Sequence, residues 1–217
     1  MERVLVLSLV IHCGTGIACP FKSVTREFQP SLDNLKTRIM TVYRTTGDSV
    51  ISTRSLIRDN ISNAKNLTTH KLRATRYLLD QAKVEAARTH PRIRTCILDQ
   101  SLTLGKISPR SFLSCGGNFT TVASIRNDLL RLENVALELV QSCSRLNPLG
   151  SERESLRKCV QTKLADLSLQ LSLLEKKFVD GVKRLVNVST DCVMKETGEI
   201  SAKIGAVEGA IKNCKNF

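Results

Sequence analysis

Cysteine is the residue type in this chain with the most chemistry open to it. Six stand well apart, at Cys96, Cys115, Cys143, Cys159, Cys192 and Cys214. A thiol can pair, hold a metal or attack a substrate, and spacing decides among these. Zinc would ask for a CxxC or a Cys–His pair at metal spacing, and there is none. A catalytic thiol would need a base beside it, but His70 and His90 lie in a region without other active-site candidates. An even set of single cysteines in a secreted chain reads instead as three disulfides. Two more, Cys13 and Cys19, sit at the N-terminus. If Cys19 is retained, it is the odd one and could pair between chains.

The other candidate chemistry lies on the surface. Four sequons occur, at Asn60, Asn66, Asn118 and Asn187, and each can accept a glycan in a secreted chain. The net charge is +13 and uneven: 15 cationic against 6 acidic residues from Lys22 to Arg94, then 17 against 13 to the end. Arg73, Arg76, Lys83, Arg88, Arg92 and Arg94 crowd one stretch and form a candidate site for a polyanion or a membrane surface. A solvated helix face that keeps the protein soluble accounts for the same residues. Nucleic acid is a poor partner, because aromatic side chains that would stack on bases are nearly absent there. No GxSxG, HExxH, P-loop or dinucleotide fingerprint is present. Glu152 and Glu154 stand in a first helical turn, where carboxylates offset the helix dipole. The expectation is a protein that is not an enzyme and needs no cofactor or metal.

The elements that must position these residues read as helices. Residues 1–18 have a charged start, the apolar run Val4–Ile11 and then small residues, the signature of a secretory signal. Residues 19–217 follow as a single helical domain. A long N-terminal arm over 31–90 carries apolar residues at helical spacing, weakens at Thr45–Gly47 and stops at His90-Pro91. Unbroken it would measure nearly 90 Å at about 1.5 Å per residue, so a bend near Gly47 or a projecting end is expected. Residues 92–217 form a disulfide-linked bundle: a short helix with Cys96, a loop over 105–117, a helix over 118–145, and a hairpin of two helices. The hairpin starts with the capping box Ser151/Glu154 and turns around Val188–Asp191. The fold class is therefore all-α, an elongated antiparallel bundle stapled by disulfides, with a long N-terminal helix. No apolar run is long enough for a membrane span. Gly198, Gly205 and Gly209 suggest close packing of the last helix, or room for a ligand or partner helix.

Antiparallel folding constrains the cysteines. Cys143 and Cys159 fall at one end of the Ser151 helix, and a turn near Ser189 would return Cys214 to that end. Cys115 and Cys192 then meet at the opposite pole and are the best single pairing, while Cys96, Cys143, Cys159 and Cys214 stay unsorted. Cys192 and Cys214 cannot bond if they share a straight helix, being about 33 Å apart against a Cα limit near 7 Å.

With Cys143, Cys159-Val160, Cys192 and Asn213-Cys214 set among heptad-like Leu/Val/Ala helices behind a signal peptide, the chain resembles the insect secreted proteins related to the TsetseEP N-terminal domain. It lacks the Glu-Pro repeat that gives TsetseEP its name. The resemblance implies an extracellular, non-enzymatic role and transfers no functional residue. Two expectations follow. One is a secreted interaction scaffold, glycosylated and basic, that meets an anionic glycan, an anionic surface or a protein. The other is a carrier of a small apolar ligand, motivated by Leu169 and Leu173 as a second apolar stripe beside Leu167, Leu171 and Leu174.

Overall fold

Periodic burial carries the N-terminal segment further as a helix than its polar interruptions suggest. The computed structural model describes residues 20–146 and 153–214. Its first helix, α1, runs unbroken from Pro20 to Ala86. It passes through Pro30, where one intrahelical hydrogen bond is lost. Val24 on the near side of that proline and Leu35 on the far side are both buried, and this packing outweighs the local loss. The expected start near residue 31 is thus eleven residues late. No break occurs at Gly47 either, because buried Thr46 and Thr53 continue the inward face.

His90-Pro91 does separate two helices. Thr89 closes the end of α1 through N–H and Oγ1 donation to the Ala86 carbonyl. Helix α2 (Pro91–Gly105) then begins with proline at its first position, where no N–H is required, and His90 Nδ1 accepts from the Arg92 N–H. The expected loop contains a 3-10 helix at Pro109–Gly116. The helix expected over 118–145 is present as α3 (Thr120–Leu137) and α4 (Leu139–Leu146), parted at Glu138. Bonds from Glu138 N–H to Asn134 and from Ser142 N–H to Glu138 span that point. The capping residue Ser151 lies outside the described residues.

The last element corrects the sequence expectation. There is no hairpin: α5 is one helix of 62 residues, Arg153–Cys214, and the supposed turn at Val188–Asp191 is helical. The polar run that suggested a turn contains Ser189, which is 2% exposed and occupies a core position.

The chain packs as two compact units, one of residues up to Thr45 with Ile125–Lys176, the other of Thr46–Ser124 with the residues from Lys177 onward. The division crosses α1 and α5 rather than falling between an arm and a bundle. In the first unit, Leu35 and Ile39 of α1 bury against Leu129, Leu132 and Leu139 and against Val160, Leu167 and Leu171 of α5. Arg157 Nε bonds Glu27 at 2.7 Å, and Cys143–Cys159 closes the unit covalently. In the second, Leu72, Leu79 and Ala82 of α1 pack with Ile97, Leu104, Phe112, Ile200, Ile204 and Val207. Cys115–Cys192 and Cys96–Cys214 lie here. The fold is all-α and disulfide-stapled, with a long N-terminal helix, as its periodicity indicates. Among the described residues no strand is present, and no helix is long and apolar enough to cross a membrane.

Candidate anion-binding surface

Helix geometry decides which cations can act together. At about 100° per residue, Arg58, Lys65, Arg76 and Lys83 fall within about 20° of one another on one flank of α1. Arg73 stands beside Arg76, three residues away on the same side. All five belong to the second unit, and all but Lys83 are exposed. Lys83 is half-buried and pairs with Asp80 at 3.3 Å, which offsets part of its charge. Arg54, higher on this flank, is also engaged, its guanidinium 4.8 Å from the Phe119 ring centroid.

The turn between α1 and α2 supplies the rest. Arg88 sits in it, and Arg92 and Arg94 occupy the first turn of α2. Arg94 reaches back to donate through Nη2 to the Ala87 carbonyl at 2.9 Å, which fixes the α2 start against the α1 end. Arg73, Arg76, Arg88, Arg92 and Arg94 make no ion pair with any described acidic residue. The structure therefore retains five of the six expected cations as available charge. Counting density along the chain missed Arg58 and Lys65; counting by helix face finds both.

The remaining candidates are placed as follows. The six cysteines pair as Cys96–Cys214, Cys115–Cys192 and Cys143–Cys159. The expected Cys115–Cys192 bond is present, though its geometry is not two helix ends meeting: Cys192 lies inside α5. Cys214 does not return to the Cys159 end, since α5 never turns, and it joins Cys96 instead. Cys192 and Cys214 do share one helix and are not bonded. Cys13 and Cys19 lie outside the described residues, as does the expected signal segment. Asn66, Asn118 and Asn187 are exposed and Asn60 is half-buried. Close packing at the α5 glycines is not found: a Cβ on Gly198, Gly205 or Gly209 would meet nothing within 4 Å. Leu169 and Leu173 are 61% and 49% exposed, so the residues that motivated a carrier face outward rather than lining an interior. No grouping of His, Cys, Asp and Glu among the described residues would hold a metal ion. Compared with protein-family models, curated proteins and solved structures, the chain matches none.

Proposed function

We propose that this chain is a secreted, non-enzymatic helical scaffold whose basic surface binds an anionic glycan, an anionic surface or an acidic protein face. One observation carries the reading: Arg73, Arg76, Arg88 and Arg92 are exposed and have no acidic partner among the described residues. Surface guanidinium groups left unpaired attract phosphate, sulfate or carboxylate and hold them by donating two parallel N–H bonds. Three disulfides support an oxidising compartment, where such bonds persist. Kinship with the TsetseEP-like secreted proteins belongs to the same proposal.

The test is salt elution from immobilised heparin and sedimentation with anionic vesicles. R73E/R76E/R92E is compared with K195E/K203E/K212E, which changes net charge equally on exposed α5 positions. Early elution of the first variant alone supports a local site. Equal loss in both would show that net charge alone drives retention and would refute the site. N-terminal sequencing of protein from the medium, expected to begin after Gly16 or Ala18, tests the secretory part.

A further inference from the structure

Two of the four sequons have a buried, already bonded hydroxyl at the third position: Thr68, 2% exposed, donates to the Ala64 carbonyl of its own helix, and Ser189 of the Asn187 sequon is closed by a different element. Asn187 is exposed on α5, but the hydroxyl two residues on is not: Ser189 is 2% exposed, and its Oγ donates to the Cys115 carbonyl at 2.7 Å. Cys115 is bonded to Cys192, three residues and just under one helical turn beyond Ser189, with a Cα separation of 5.5 Å between the two cysteines. The hydroxyl, the carbonyl and the disulfide thus form a single closed patch. The arrangement at Asn118 is the reverse. That residue lies before α3, both it and Thr120 are exposed, and its Oδ1 accepts from the Thr120 N–H at 2.9 Å. Neither of its sequon side chains bonds to the disulfide.

Glycan transfer makes this difference matter. The acceptor Nδ2 attacks the anomeric carbon of a lipid-pyrophosphate-linked oligosaccharide, the new N–C bond forms, and the C–O bond to pyrophosphate breaks. The lipid pyrophosphate leaves with the electron pair, and the amide gives up one proton. The transferase must hold the sequon extended and hydrogen-bond the hydroxyl at the third position. A sequon inside a docked helix, with that hydroxyl already donated to a buried carbonyl, meets neither requirement.

We propose that Asn187 accepts an N-glycan only until Cys115–Cys192 closes, whereas acceptance at Asn118 is independent of that bond. The inference rests on the secreted reading above. Occupancy at Asn187 is then set by a race between glycan transfer and disulfide closure. Because Asn187 faces solvent in the folded chain, a glycan attached in time is compatible with the fold, and the protein emerges as two glycoforms.

The experiment measures site occupancy in total protein, cells and medium together, after expression of the full chain in insect cells. Amidase release in heavy-oxygen water and peptide mass spectrometry read each sequon. Wild type is compared with C115A/C192A and with C96A/C214A, which removes a disulfide elsewhere in the same unit. Occupancy at Asn187 is expected to rise about two-fold or more in C115A/C192A and to hold in C96A/C214A, with Asn118 constant throughout. A reductant pulse during wild-type synthesis should reproduce the rise without any substitution. Equal Asn187 occupancy in all three proteins, full occupancy in wild type, or the same rise in C96A/C214A would overturn the proposal. Protein that never reaches the medium and carries no glycan at any sequon would overturn the secreted reading, and this proposal with it.

Discussion

Replacing Gly117 by alanine should cost about 3 kcal/mol, and two separate effects make up that figure. Gly117 has φ 73° and ψ 159°, a backbone region that is essentially glycine's alone. Holding another residue there costs about 1–3 kcal/mol, taken here as about 2. The added Cβ would also stand 2.6 Å from Cδ1 of Leu185, a buried side chain of α5. Leu185 can turn its far end away, so the overpacking term sits near the bottom of its usual range of about 1–3 kcal/mol. The neighbouring Gly116 is the control. It has no positive φ, and a Cβ there meets nothing within 4 Å. Gly116→Ala should stabilise by about 0.4–1 kcal/mol through the unfolded chain. Guanidinium unfolding followed by far-ultraviolet circular dichroism measures both, with hydrogen exchange locating the loss in 46–124 and 177–214. Gly117→Ala within about 0.5 kcal/mol of wild type would refute the reasoning, because surface-like tolerance is incompatible with a glycine-only backbone.

Further outcomes are expected from equilibrium unfolding. Cys96–Cys214 spans 118 residues and alone would contribute about 4.9 kcal/mol by loop entropy. With Cys115–Cys192 intact the loop shrinks to the 19 residues before Cys115 and the 22 after Cys192, so C96A/C214A should cost about 3.9 kcal/mol. Removing both bonds should then cost about 1 kcal/mol more than the two single losses together, and strict additivity would contradict the nesting. Ser189→Ala, which orphans the buried Cys115 carbonyl, should cost about 1–3 kcal/mol. Leu171→Ala, at a fully buried site, should cost about 2–5 kcal/mol. Leu173→Ala, two residues on and 49% exposed, should stay within about 0.5 kcal/mol.

Much of this architecture is legible as periodicity, and the failures share a cause. Helix class, the stop at His90-Pro91 and the helix with Cys143 on its face follow from apolar spacing and proline placement. What misleads is polar identity at core positions. Thr46, Thr53, Thr68 and Thr75 are at most 6% exposed and take up the inward face of α1 where leucine would be expected. Thr68 and Thr75 satisfy their hydroxyls locally, on the carbonyls of Ala64 and Lys71, and Thr75 also lies 2.6 Å from the Glu208 carboxylate. A threonine bonded in this way offers its methyl group to the core. Ser189 is buried in α5 by a different route, donating its hydroxyl to the Cys115 carbonyl of another element, and a serine there reads as the centre of a turn. The Cys115–Cys192 pairing was reachable because it needs only proximity, and a hairpin that does not exist happens to supply it. On the basic surface, chain density finds Arg73 and Arg76, but finding Arg58 and Lys65 requires knowing that α1 is continuous.

The three disulfides have one more consequence, which concerns covalent connectivity. Cys143–Cys159 lies within the segment closed by Cys115–Cys192, which in turn lies within Cys96–Cys214, so the C-terminal part of the chain is a ladder of three rungs. A protease that cuts once anywhere between Cys96 and Cys214 leaves a single covalent molecule. To release a fragment it must cut twice between the same neighbouring rungs, on one limb or once on each, or twice inside the innermost loop. No cysteine stands between Pro20 and Thr95, so a single cut in that stretch divides the chain into two separate molecules, held together afterwards only by packing. Nicking therefore has opposite outcomes in the two halves: silent until reduction after Cys96, and immediate severance before it.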